Sequence, residues 1–231
     1  MTERHPWRHL GASLLLAAAV PLAWAQDNGA LFRAVKQDNE SAVRSLLASG
    51  ADPNAKDEKG MPALYVALQE GALKAARQLI ASPRLQPETR NGADESPLMM
   101  AALKGQLDIA RQLIAKGADV NKPGWAPLHY AATGGHLDMM RLLLEEHAFI
   151  DAESPNGTTP LMMAASYGSP EAVKLLIEAG ADLHMRNQKG MTALDFARRA
   201  ERRDSVELIE TGLRWQRERQ RQTGQPPRAR W

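Results

Sequence analysis

Cysteine is absent from all 231 residues. That excludes disulfides, thiolate metal sites and a lipid-bearing cysteine, so the fold must hold by packing alone. Aromatics make up only 5%. Strand-rich chains draw on β-branched and aromatic residues; here Ala, Leu and Met carry the apolar load, which favours helices. No apolar run reaches membrane-spanning length. The longest, "LGASLLLAAAVPLAWA" at residues 10–25, has 16 residues, against the roughly 18–20 a bilayer requires. Catalytic motifs are missing too: no nucleophile elbow, no phosphate-cradling glycine loop, no His-Glu-x-x-His. The carboxylates are spread over turns and helix ends, and the six histidines are scattered with no cysteine to join them. The chain therefore reads as non-catalytic, with no cofactor and no metal.

What is present is the composition of a folded protein, 44% hydrophobic and 24% charged. The net charge of +2 conceals a split. Residues 214–231 carry six arginines against Glu218, and residues 1–25 carry two against Glu3. The body between them holds 21 basic and 25 acidic residues. The high isoelectric point is thus a property of the ends and does not mark a nucleic-acid-binding body. Residues 1–25 have the layout of a signal peptide: a positively biased start, a short apolar run, and Ala23-Trp24-Ala25 as a small-x-small cleavage site before Gln26. The expected address is a bacterial periplasm.

The leucines of six similar stretches set a period. Leu31, Leu64, Leu98, Leu128, Leu161 and Leu194 are spaced by 33, 34, 30, 33 and 33 residues. A period near 33 marks a repeat solenoid. Each unit reads as two short helices. The first starts at Pro97, Pro127 or Pro160, where a missing N–H costs nothing, with Ser96, Thr159 and Thr192 as caps. The Ala-Ala pairs at 101–102, 131–132 and 164–165 allow close helix approach. Gly71, Gly105, Gly135 and Gly168 are expected to end the first helix as left-handed residues. The second helix carries an apolar stripe, as in "VKLLIEAGAD", and stops at Gly50, Gly117 or Gly180. One such pair cannot bury its own apolar face, so neighbours must stack.

The stretches "APLHYAATGGHLDMMRLLL", "GTTPLMMAASYGSPEAVKLLIEAGADL" and "LDIARQLIAKGADVN" resemble the ankyrin-repeat family over about residues 27–213. The resemblance implies an all-α solenoid of about six helix-turn-helix repeats with hairpin-like fingers at right angles. It also implies protein binding through the finger tips and the first-helix face. The division that follows is a signal peptide at 1–25, the repeat domain at 26–213 and a basic disordered tail at 214–231. Some positions depart from the pattern. "SPRLQP" replaces the Gly-Ala-Asp turn of repeat two, which makes residues 81–96 the expected weak link; His147 stands where a helix-ending glycine belongs; Ala126 replaces a capping threonine.

His129 matches the histidine of the family's Thr-Pro-Leu-His motif, which supports backbone hydrogen bonds between turns, and His136 opens a second helix. The pairs Met99-Met100, Met139-Met140 and Met162-Met163 are assigned to packing. The spacing of 30 requires a finger shortened by three residues between repeats three and four, with Trp125 beside the notch. Trp125 either folds down over the notch or anchors a partner. Carried over by register, the binding row comprises Met61, Glu95, Trp125, Thr158 and Met191 on the fingers, and Gln69, Glu70, Leu103, Lys104, Thr133, Ser166, Tyr167 and Arg199 at the first-helix ends. The row is mixed polar with apolar points, as protein-binding faces are. The expected partner is another protein, with no nucleic acid, bound by a chain that is monomeric on its own. The basic tail suits anionic lipid headgroups. The function read from this is a periplasmic adaptor or regulator of an exported enzyme; the alternative is an immunity protein that blocks a delivered toxin.

Overall fold

The computed structural model describes residues 23–223, with side chains from residue 28. The expected signal peptide lies almost wholly outside the described residues. Twelve helices follow one another: α1 (Ala23–Lys36), α2 (Glu40–Ala48), α3 (Ala63–Glu70), α4 (Leu73–Ala81), α5 (Pro97–Leu103), α6 (Leu107–Ala115), α7 (Pro127–Gly134), α8 (Leu137–Glu145), α9 (Pro160–Tyr167), α10 (Pro170–Ala179), α11 (Ala193–Arg199) and α12 (Arg203–Thr223). They form the six expected helix pairs. First helices pack on first helices and second on second, so the core is one continuous apolar seam. Leu31, Leu64, Leu98, Leu128 and Leu161 are buried in it, while Leu194 of the last repeat is half-buried, as befits an end cap. None of the described helices is long and apolar enough to cross a membrane.

Local chemistry sets the helix ends. Ser96, Thr159 and Thr192 cap as expected, each accepting a backbone N–H three residues on. The reverse arm of the cap comes from an unusual set of acceptors. Met99 and Met162 offer their sulfurs to the Ser96 and Thr159 N–H, Asp195 offers a carboxylate to Thr192, and His129 offers Nδ1 to Ala126 at 3.1 Å. Ala126 gives no side-chain cap of its own, so His129 holds that turn alone. His147 takes the left-handed conformation (φ 64°) that glycine adopts elsewhere.

One of the four first-helix glycines differs from expectation. Gly71, Gly105 and Gly135 are left-handed, but Gly168 is extended, at φ −76° and ψ −160°. Its requirement is space: a Cβ there would lie 2.4 Å from the Ala132 carbonyl oxygen.

Four fingers share one turn. The N–H of Asp57, Asn91, Ser154 and Asn187 donates to the carbonyl four residues later, and each of these side chains accepts from the turn's own backbone. The finger at 118–126 lacks that turn, as its length requires. Instead the Lys122 ammonium, with its side chain only 6% exposed, reaches Asp94 on the preceding finger at 2.6 Å. Asp94 itself stands left-handed where Gly60, Gly157 and Gly190 stand in the other fingers.

The "SPRLQP" segment is tied down despite its lost turn motif. Arg84 donates to the carbonyls of Leu47, Gly50 and Ala51 at the end of α2, and Asn54 bonds both Arg84 and Gln86 backbone. Leu85 is buried beneath. Arg84→Ala should therefore raise amide exchange in residues 82–89, as well as in 47–51, and leave 158–180 unchanged. Exchange confined to the mutated residue would show that Arg84 ties nothing.

The C-terminal boundary needs correction. Disorder is expected from residue 214, yet α12 runs on to Thr223. Gln, Glu and Arg are good helix formers, and no breaker occurs until Gly224. Ile209 and Leu213 dock the first turns on the stack, while Trp215 stays exposed with Arg219 over its ring at 5.1 Å. Residues 224–231 lie outside the described residues.

Candidate functional site

Leucine register carries two rows of side chains onto the concave side. One position after the leucine stand Tyr65, Met99, His129, Met162 and Asp195, turned inward to the caps or, for Tyr65, toward the next finger. Two positions after it stand Val66, Met100, Tyr130, Met163 and Phe196. Val66 and Met100 are buried; Tyr130, Met163 and Phe196 are partly open. In repeat one the same position holds Arg33, which is exposed. From repeat two onward the face therefore opens toward the C-terminal half.

There it forms a recess of about 470 Å³ across three repeats. Trp125 from the short finger and Asn156 and Thr158 from the next make one wall. Met163, Ser166 and Tyr167 of α9 form the floor, and Asn187, Lys189 and Met191, with Phe196, Arg199 and Ala200, close the far side. Six residues of the expected row, Trp125, Thr158, Ser166, Tyr167, Met191 and Arg199, are thus brought together. Seven are not: Met61, Gln69, Glu70, Glu95, Leu103, Lys104 and Thr133 line other parts of the surface. Thr158 is 3% exposed, with its carbonyl already bound to His129. Thr133 bonds back to the His129 carbonyl at 2.7 Å.

Sequence reasoning missed Asn156, Met163, Asn187, Lys189, Phe196 and Ala200. The pairing of Met163 with Met162 points to packing. Met162 is buried and caps its helix, but Met163 is half-buried and faces the recess. The leucine-plus-two register held the signal, since it groups Met163 with Tyr130 and Phe196.

The Trp125 side chain packs within its own repeat. Its ring stands edge-on against His129 at 5.2 Å and Tyr130 at 6.4 Å, and it also lines the recess. His129 is buried, which pushes its imidazole below the usual range and keeps it neutral. Since Nδ1 accepts from Ala126, Nε2 carries the proton and donates to the Thr158 carbonyl at 2.9 Å. His136 does similar work one repeat back, bonding the Leu103 carbonyl at 2.9 Å, with Gly105 and Gly134 leaving room for its ring. Both histidines are structural.

Glu95 is occupied within the protein. Its carboxylate takes the Tyr65 hydroxyl at 2.6 Å, the Tyr130 hydroxyl at 2.8 Å and the Asn91 amide at 2.7 Å. Burial would raise its pKa, but these three donors outweigh burial and hold it below the usual carboxylate range. Burial, then the Glu95 charge, pushes both tyrosines well above the usual phenol range, so they remain donors. Among the described residues no three His, Asp or Glu side chains gather as metal ligands would.

Comparisons with known proteins agree with this architecture. The family model described as ankyrin repeats in three copies matches residues 31–123, 83–154, 98–187 and 146–217. The chain is 32% identical over 123 residues to alpha-latrocrustotoxin-Lt1a of Latrodectus tredecimguttatus, covering 53% of this chain and 9% of that one. It is 33% identical over 111 residues to ankyrin repeat and SAM domain-containing protein 6 of Rattus norvegicus, covering 46% and 12%. The chain thus spans only about a tenth of those relatives. Among solved structures it is similar to a chain from the complex of a predatory endopeptidase of Bdellovibrio bacteriovorus with an immunity protein. There the TM-score is 0.68 at 31% identity, over 79% of this chain and 97% of that one. The matched repeats, the stacked helix pairs and their fingers together make this chain a member of the ankyrin-repeat family, whose repeats mediate protein–protein interaction.

Proposed function

We propose that this is a non-catalytic regulator of an exported enzyme, acting in the periplasm by covering a folded partner with its concave face. The observation that carries the reading is the three-repeat recess, with half-exposed Trp125 and a Tyr167 that is 61% exposed, on the face the family uses for proteins. Aromatic anchors in a polar rim are what interfaces use as hot spots. A second reading is favoured by one finding: the likeness to a chain from an endopeptidase–immunity complex supports an immunity protein that blocks a hydrolase. Both readings require export, so mass analysis of the periplasmic fraction should find a chain beginning at Gln26.

The test is photocrosslinking from p-benzoylphenylalanine placed at position 167, in periplasmic extract. A discrete enzyme should be captured and should lose activity when bound. Trp125→Ala should weaken binding of the purified enzyme by about thirtyfold, the equivalent of about 2 kcal/mol for an aromatic hot spot. It should also lower the melting temperature modestly, because Trp125 packs on His129 and Tyr130. A variant that melts early yet binds normally removes Trp125 from the interface. A captured enzyme that stays fully active when bound overturns the regulator.

A further inference from the structure

The recess is asymmetric in its polar chemistry. No carboxylate lines it. Lys189 and Arg199 are exposed on its rim, and among the described residues neither side chain has an acidic partner. Elsewhere Arg44, Arg90, Lys122, Arg141, Lys174 and Arg198 sit in ion pairs, while Lys59, Lys74, Arg77 and Arg111 are also exposed without one among the described residues. What sets the recess apart is two such cations beside a lining that holds no carboxylate. Asn156 and Asn187 extend the bias. Their side-chain oxygens are consumed by turns inside the fingers, Asn156 accepting from Ser154 and Thr158, and Asn187 from Lys189 and Met191 backbone. What each amide has left to offer outward is its NH₂ group, a donor. Between these groups the lining is apolar: Met163, Met191 and Phe196, with Trp125 and Tyr167.

We infer that the recess takes an aromatic or aliphatic side chain flanked by carboxylates, carried on a protruding loop of the partner protein. This rests on the protein-binding reading above and specifies its chemistry. The apolar side chain displaces water from the methionine and aromatic floor. The flanking Asp or Glu meets Lys189 and Arg199, which are free of competing acids, and accepts from the Asn156 and Asn187 amides. The rim charges steer association, disfavour neutral loops and exclude basic ones, which is where interface charge acts most strongly. Methionine floors adapt to side-chain shape, so the acid flank carries more of the selection than the identity of the apolar residue.

The probes are three capped peptides, Gly-Asp-Phe-Asp-Gly, Gly-Asn-Phe-Asn-Gly and Gly-Lys-Phe-Lys-Gly, titrated to millimolar concentration into isotope-labelled protein and read by amide shifts. The acidic peptide should move Met163, Tyr167 and Phe196 and saturate at least about fivefold more tightly than the asparagine peptide, by a margin that shrinks with added salt. The lysine peptide should not saturate. Lys189→Gln/Arg199→Gln should erase the acidic preference, and the charge reversal Lys189→Glu/Arg199→Glu should invert it. Equal saturation by the asparagine peptide, shifts centred elsewhere, or no saturation by any peptide overturns the inference. The two readings fail separately. If a partner is crosslinked at position 167 and charge reversal leaves its capture unchanged, the acidic chemistry falls and the docking face stands. If the acidic peptide saturates the recess and no folded protein is ever captured, the chemistry stands and the protein-binding reading falls.

Discussion

Glu95→Ala should destabilise the stack by roughly 3 kcal/mol, more than any surface substitution of its kind. Three charge-assisted bonds are lost, and the Tyr65 hydroxyl, on a residue only 3% exposed, is left without its acceptor. The figure already allows for solvent screening, because Glu95 is partly open. The three donors come from three successive repeats or their fingers: Tyr65 on α3, Asn91 on the second finger, Tyr130 on α7. Glu95 therefore bolts repeats two to four together, and in a near-one-dimensional array a lost interface uncouples what lies on either side. Thermal melting should broaden or split as well as shift.

The same carboxylate gives a pH signature of determined sign. Its folded pKa is depressed, so its contribution is complete above the ordinary carboxylate value and is lost as pH falls through the folded value. Between about pH 5 and pH 2 the wild type should lose more stability than Glu95→Gln, which cannot titrate there. The tyrosines act at the other end. Their raised values mean that the unfolded chain ionises first, so stability falls as pH climbs past about 10. Parallel acid limbs for wild type and Glu95→Gln would show that the three hydrogen bonds carry no net stability.

Glu95 also marks how far sequence reached. Register puts it on the binding row, away from the recess, and its carboxylate is spent within the stack on Tyr65, Tyr130 and Asn91. Its neighbours in the row, Trp125 and Tyr167, do face the recess. The difference is that Tyr65 and Tyr130, 30 and 35 residues away, converge on it. A single repeat contains no trace of that convergence; it arises from stacking. The fold was readable because stacking is encoded locally: proline at N1, alanine pair and glycine stop recur in repeats three, four and five, with a Ser or Thr cap in repeats three, five and six. The short finger was readable because it is a matter of counting. The recess was readable only in part, since it uses a register position that repeats two and three bury, as Val66 and Met100, and that repeats four to six leave partly open, as Tyr130, Met163 and Phe196. The α12 extension is not legible from periodicity, because it has no apolar stripe beyond Leu213; helix propensity and the Ile209–Leu213 anchor suffice to form it.

Gly168→Ala should cost about 3 kcal/mol, at the upper end for overpacking. The added Cβ would sit 2.4 Å from the Ala132 carbonyl oxygen, 2.9 Å from the Ala164 Cα and 3.0 Å from its carbonyl oxygen. All three are backbone atoms, so no side chain can rotate away. Relief of the Ala132 contact requires α9 to move off α7, along the seam where alanines 131–132 and 164–165 are buried, and relief of the Ala164 contacts requires the end of α9 itself to bend. Gly60→Ala separates this effect from backbone preference. Gly60 is left-handed at φ 74° but has nothing within 4 Å of an added Cβ, so it should cost about 1 kcal/mol from strain alone. Gly168 has the opposite character, with an extended backbone open to any residue and no room. A larger loss at Gly60 than at Gly168 would mean that turn conformation, not the approach of neighbouring repeats, limits stability here. Because the separation of α7 and α9 also sets the width of the recess between Trp125 and Tyr167, Gly168→Ala should weaken the partner more than its stability loss alone accounts for. Affinity measured well below the melting temperature reads that excess directly.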